Sequence, residues 1–169
     1  MSQKPSSPIC YAAEADDIYM GYAGRDELLS ELQELLEAER AGTRVALVSR
    51  KLRKLPGYSE LMRGVLEDEA HWCAMLSRQI ARLGKCPSRK TGSFAVKALA
   101  ISDPFERLAF LNRGQSWVVR KLEQLLPRVR DDALHSDLKA MADKHRTNIE
   151  LAEKFLAKNL TKKSKILIL

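Results

Sequence analysis

Four stretches of this chain repeat apolar residues at the three-and-four spacing of one α-helical face, and four such faces can be hidden from water only against one another. The first, about 26–53, aligns Leu28, Leu32, Leu35, Leu36 and Ala46, with Asp26 near its start and Pro56-Gly57 after its end. The second, about 59–83, opens at Ser59, closes at Gly84 and aligns Leu61, Val65, Trp72, Leu76 and Leu83. The third begins at Asp103 as N-cap, with Pro104 in the first helical position and Glu106 reaching back, and stops before Pro127. Its stripe is Leu108, Leu111, Val119, Leu122 and Leu126. The fourth, about 131–159, starts among Asp131 and Asp132, where the helix dipole favours acids, and buries Leu134, Leu138, Met141, Ile149, Ala152 and Leu156. With eight Gly and six Pro in 169 residues, little interrupts these helices. The expected fold is therefore all-α, a single four-helix bundle over 25–160, preceded by an arm (1–24) and followed by a basic and apolar tail (161–169).

Connection lengths restrict the topology. Short loops near 54–58 and 127–130 join the helices into two antiparallel hairpins. Residues 84–102, if extended, reach about 60 Å, more than the roughly 37 Å length of a 25-residue helix. A crossover running the length of the bundle is the expected path, and a folded excursion in an up-down-up-down arrangement is the alternative.

Polar residues at the centres of these apolar stripes are the candidate site. At about 100° per residue, Glu39 falls within about 20° of Leu28, Leu32 and Ala46. Glu69 falls on the inward side of the second helix, Gln115 among Leu108, Leu111, Val119 and Leu122, and His145 between Leu138 and Met141. Each helix thus turns one hydrogen-bonding or metal-ligating side chain into the core.

The segments ELLEAERAGTRVAL (34–47), DEAHWCAML (68–76), RLAFLNRGQSWVVRKLEQLLP (107–127) and HRTNI (145–149) resemble the ferritin-like superfamily, in particular a group of uncharacterised bacterial ferritin-like proteins. The resemblance implies a ferritin-like four-helix bundle with a long middle crossover. In metal-binding members of that superfamily two helices each give one Glu and two each give an ExxH pair, because residues three apart share a helix face. Position by position, Glu39 matches the first Glu, Glu69 the Glu of the first ExxH and His145 the His of the second. Trp72, Gln115 and Ala142 stand where a His and two Glu are expected. A pair of metal ions would lack most of its neutralising charge on such a set. Two readings of the remaining triad stay open. In the first, Glu39, Glu69 and His145 form a metal-free polar cluster, with Gln115 and the Trp72 indole as hydrogen-bond partners, and the protein is a non-catalytic structural or interaction module without a cofactor. In the second, the triad holds one Fe, Mn or Zn ion in a protein with a redox or stress-related role.

Other residues exclude more than they suggest. His71 falls toward the edge of its helix, His135 has no partner, and Cys73 has no base beside it. Neither a phosphate loop nor a nucleotide fingerprint is present. Residues 1–39 carry nine acidic and two basic side chains, and the remainder is strongly basic, within a net charge of +7. The basic runs RKLRK (50–54), 84–91 and 154–165 lack interleaved aromatics, which argues against nucleic-acid binding. Nothing has membrane-span length, the opening MSQKPSSP is polar, and Cys10, Cys73 and Cys86 form no CxxC pair, so a cytoplasmic protein with reduced thiols is expected. Finally, Phe110, Gly114 and Trp117 form a stripe about 100° or more from Gln115. That stripe is expected either to meet its own copy in a homodimer or to be covered by Tyr11, Tyr19 and Met20 of the arm.

Overall fold

The computed structural model describes residues 17–52 and 55–166, the last of these (160–166) as helical backbone. Five α-helices account for most of them: α1 (Arg25–Ser49), α2 (Tyr58–Arg82), α3 (Phe94–Ala100), α4 (Pro104–Leu125) and α5 (Asp132–Ile166). A 3-10 turn, Leu126–Arg128, closes α4, and no strand occurs among the described residues.

Local chemistry accounts for the helix ends. Asp26 and Glu27 occupy the first turn of α1, where the exposed amides favour negative charge. Gly57 precedes α2 at φ 80°, and Gly84 follows it at φ 77°, a conformation that a Cβ would disfavour. The Asp103 carboxylate accepts from the amides of Phe105 and Glu106 at 2.9 Å each, and Pro104 follows it. Within the expected linker, Phe94–Ala100 is helical, with Ala95 and Ala98 fully buried. The fourth expected helix also runs on to Ile166, past the expected end near 159.

Side-chain pairings give the directions of the long helices. Arg25 donates to the Leu83 carbonyl, and Arg82 pairs with Asp131 at 3.0 Å, so α2 runs antiparallel to α1 and to α5. Lys121 near the end of α4 reaches Glu31 and Glu34 near the start of α1, both at 2.8 Å, so α4 is antiparallel to α1. It follows that α2 and α4 are parallel and that residues 84–103 travel back along the molecule. Gln33 and Glu37 of α1 hold that segment through the Cys86 carbonyl and Ser88.

Apolar side chains fill the interior in two layers. One is built from residues such as Leu32, Leu36, Leu76, Ile80, Leu122 and Leu138, the other from residues such as Val45, Tyr58, Met62, Leu108, Leu111 and Ala152. Between Leu36 and Ala41 on α1, Val65 and Trp72 on α2, Leu111 and Val118 on α4, and Ala142 and Ala152 on α5, the inward positions are polar.

The stripe expected to meet a second copy is covered within the chain. Phe94 stacks on Phe110 with ring centroids 4.9 Å apart, and a Cβ on Gly114 would lie 2.5 Å from the Phe94 ring. Trp117 is half-buried against the first apolar layer, with Lys121 Nζ 5.8 Å from its ring centroid. Tyr19 and Met20 do not cover this face. They are exposed beside the 126–131 turn, where Ala23 N–H donates to the Arg128 carbonyl and Asp17 pairs with Arg130. Tyr11 lies outside the described residues.

A candidate metal centre between the apolar layers

The helical register that buries Leu36 and Val45 also buries Glu39, which is 0 % exposed. Glu69 at 3 %, Gln115 at 4 % and His145 at 1 % occupy the same level on α2, α4 and α5. All four point inward, and one ligand atom from each of Glu39, Glu69 and His145 lies within 4.8 Å of the others. Trp72 is buried in the adjacent layer, but its Nε1 makes no hydrogen bond to another protein atom, so the expected indole bond to the carboxylates is not formed. Ala142 is fully buried in that layer too.

Each contact limits what the group can do. Gln115 Nε2 donates to Glu69 Oε1 at 3.1 Å, which fixes the amide as a support for that carboxylate. His145 Nδ1 lies 3.0 Å from the Met141 carbonyl oxygen, which can only accept, so Nδ1 carries the proton. In the neutral ring this leaves the Nε2 lone pair facing the carboxylates, 3.2 Å from Glu39 Oε1. Glu39 Oε1, Glu39 Oε2 and His145 Nε2 are buried, and none has a hydrogen-bond partner in the protein. Leaving buried acceptors unmatched is costly, on the order of 1–3 kcal/mol for each group.

Burial dominates the electrostatics. It pushes the Glu39 carboxyl up to about 8, with a smaller lowering from its contact with Glu69. Glu69 rises well above the ordinary carboxylate range, first through burial and then through the charge of Glu39, while His145 and Gln115 pull it down. As two carboxylates they have no donor to share; a proton or a cation between them supplies what they lack.

Two residues absent from the stripe pattern complete the centre. Gly42 makes room for Glu69, because a Cβ there would lie 2.5 Å from Glu69 Oε2. The only trace of this in the sequence is a helix-disfavouring glycine in the middle of α1. Asn148, 4 % exposed, donates to Asp68 at 3.0 Å, and Lys144 reaches the same oxygen at 3.2 Å, so α2 and α5 are tied beside the centre. The weaker candidates stay apart. His71 is exposed with its ring edge-on to Trp72, His135 is half-buried, and burial pushes the Cys73 thiol up to about 11, which removes it as a nucleophile at neutral pH.

Comparison with known families decides the relationship. A model described as "Domain of unknown function (DUF6306)" matches residues 26–154. The chain belongs to this family. The match begins at the second residue of α1 and ends in α5, so the DUF6306 region contains Glu39, Glu69, Gln115 and His145. Neither the curated proteins nor the solved structures include a match to the chain. None of the described helices of this DUF6306 protein is long and apolar enough to cross a membrane.

Proposed function

We propose that this protein is a ferritin-like four-helix bundle whose interior holds one transition-metal ion on Glu39, Glu69 and His145. The observation that carries the reading is that one ligand atom from each of Glu39, Glu69 and His145 lies within 4.8 Å of the others, while Glu39 Oε1, Glu39 Oε2 and His145 Nε2 are buried without a hydrogen-bond partner. Two carboxylates and an imidazole suit Fe, Mn or Zn. The His145 Nδ1 bond to the Met141 carbonyl is the kind of second contact that orients a ligating imidazole. A second ion has no comparable set, since Gln115 is neutral and bonded to Glu69, and Ala142 offers no ligand. Iron or manganese would supply one-electron chemistry there, and zinc a fixed positive charge.

The parallel run of α2 and α4, with residues 84–103 returning along α1, supports the ferritin-like topology. The free thiols of Cys73 and Cys86 suit a cytoplasmic setting. A homodimer built on Phe110 and Gly114 loses its support, because Phe94 already lies on both.

One observation favours a second reading. Because burial raises both carboxyls, a proton shared by Glu39 and Glu69 satisfies the cluster without metal, and the protein is then a structural or interaction module. Elemental analysis of protein purified without a metal-affinity tag, followed by titration of the stripped protein with Zn(II), Mn(II) and anaerobic Fe(II), separates the two. One equivalent bound by the wild type and none by Glu39→Gln is the expected result; a protein that takes up none of the three ions is the shared-proton module.

A further inference from the structure

A cleft of about 600 Å³ opens between α1 and α4 beside the returning segment 91–94. That is the size of a small-molecule site, roughly 300–1,000 Å³. Its inner end reaches Glu39, Glu69 and Gln115. Its apolar lining includes Ala38 on α1 and Val118 on α4. At the mouth, Arg113, Trp117 and Arg120 follow at i, i+4 and i+7 and so share one side of α4.

The charges at the mouth are unequally committed. Glu34 on the α1 side is held by Lys121 at 2.8 Å, and Glu37 accepts from Ser88 Oγ at 2.6 Å. Arg113 lies over the Phe110 ring, 5.2 Å from its centroid, and Arg120 is exposed. Neither arginine forms an ion pair with a described acidic residue. Glu37, bonded to a neutral hydroxyl, keeps its charge on the α1 wall, and Lys121 is shared with Glu31. On the α4 wall the two guanidinium groups keep their donors for a ligand, and a guanidinium meets a carboxylate through two parallel hydrogen bonds.

We infer that this cleft binds a small organic acid, its carboxylate held on the α4 wall at Arg113 and Arg120 and its apolar body lying against Ala38, Val118 and Trp117. The site does not depend on which species, ion or proton, joins Glu39 to Glu69 at its inner end. An apolar body of one ring with a short chain fits within the volume of the cleft.

The test compares two probes of the same shape and opposite charge, 4-phenylbutyrate and 4-phenylbutylamine, titrated into the full-length protein by calorimetry and by tryptophan fluorescence. The acid binds about tenfold or more tightly than the amine. Joint replacement Arg113→Gln and Arg120→Gln weakens the acid about tenfold with the melting temperature unchanged, because both side chains are at the surface. Ala38→Leu, which places a good helix former in the cleft wall, abolishes binding of the acid while the protein stays folded. Equal binding of acid and amine, no binding of the acid at millimolar concentration, or binding that survives both sets of substitutions overturns the inference. Zinc titration of the Arg113→Gln, Arg120→Gln protein runs in parallel: retained zinc uptake with lost acid binding supports two functions in one cleft. Zinc uptake absent from every variant defeats the metal reading and leaves the acid-binding result to stand or fall on its own data.

Discussion

His145 Nε2 lies 3.2 Å from Glu39 Oε1 in the centre of the molecule, and neither atom makes an aligned hydrogen bond. Two acceptors at that distance repel unless something positive sits with them. A proton on the ring or a cation between the groups turns the same contact into an attraction.

Glu39→Gln distinguishes these cases in one protein. It removes a metal ligand and keeps a hydrogen-bonding amide of the same shape. In metal-free protein the melting temperature should hold or rise, because the amide needs no proton uptake to stay neutral in the buried site and keeps hydrogen-bonding capacity there. In protein purified with its metal the same change should lower the melting temperature to the metal-free value, as measured by calorimetry with and without added Zn(II). A drop of equal size in stripped protein would mean that Glu39 contributes through the protein fold itself.

Stability of the metal-free protein should fall as pH rises from about 5 to about 8. Glu39 is raised in the folded state to about 8, and Glu69 is raised as well. Each therefore keeps a proton that the unfolded chain, with a carboxyl pKa near about 4.3, has already released. Their contribution is complete below the unfolded value and is lost as pH climbs through the folded one. Metal binding must displace those protons, so zinc affinity should rise over the same interval. Urea unfolding and zinc titrations at pH 5.5, 6.5 and 7.5 check both slopes, and parallel slopes would exclude proton–metal competition at these carboxyls.

Gly42→Ala should damage the centre more than the fold. Ala gains about 1 kcal/mol of helix propensity over Gly. Against this, its Cβ would lie 2.5 Å from Glu69 Oε2 and must push the carboxylate away, at a cost of about 1–3 kcal/mol. The net loss of stability is about 0–2 kcal/mol, but Glu69 leaves its position, and zinc affinity should drop about tenfold or more. Unchanged zinc affinity would show that Glu69 is not a ligand.

Asp103→Ala should destabilise the protein by about 1 kcal/mol, the usual effect of losing an N-cap that holds two amides. Zinc affinity should not change, because α4 contributes Gln115 from a position three turns further on. Chemical denaturation measures the first expectation and a zinc titration the second.

The side of a helix on which a residue falls is a local property, set by 100° per residue, and it was legible from apolar spacing alone. For that reason the stripes alone turned Glu39, Glu69, Gln115 and His145 inward, and the Asp103-Pro104 pair marked where α4 starts. The height at which segments distant in sequence meet is not local. It is decided by how side chains of different size interlock across helix axes, so only the tertiary structure could set Gly42 against Glu69, aim His145 Nε2 at Glu39 and leave the Trp72 indole without a partner. The same reason explains Phe94. Read in sequence it lies in a linker, and the outward stripe of Phe110 and Gly114 looks open to a second copy; in space the returning segment passes over that stripe, and the missing Cβ of Gly114 is what lets the Phe94 ring settle there.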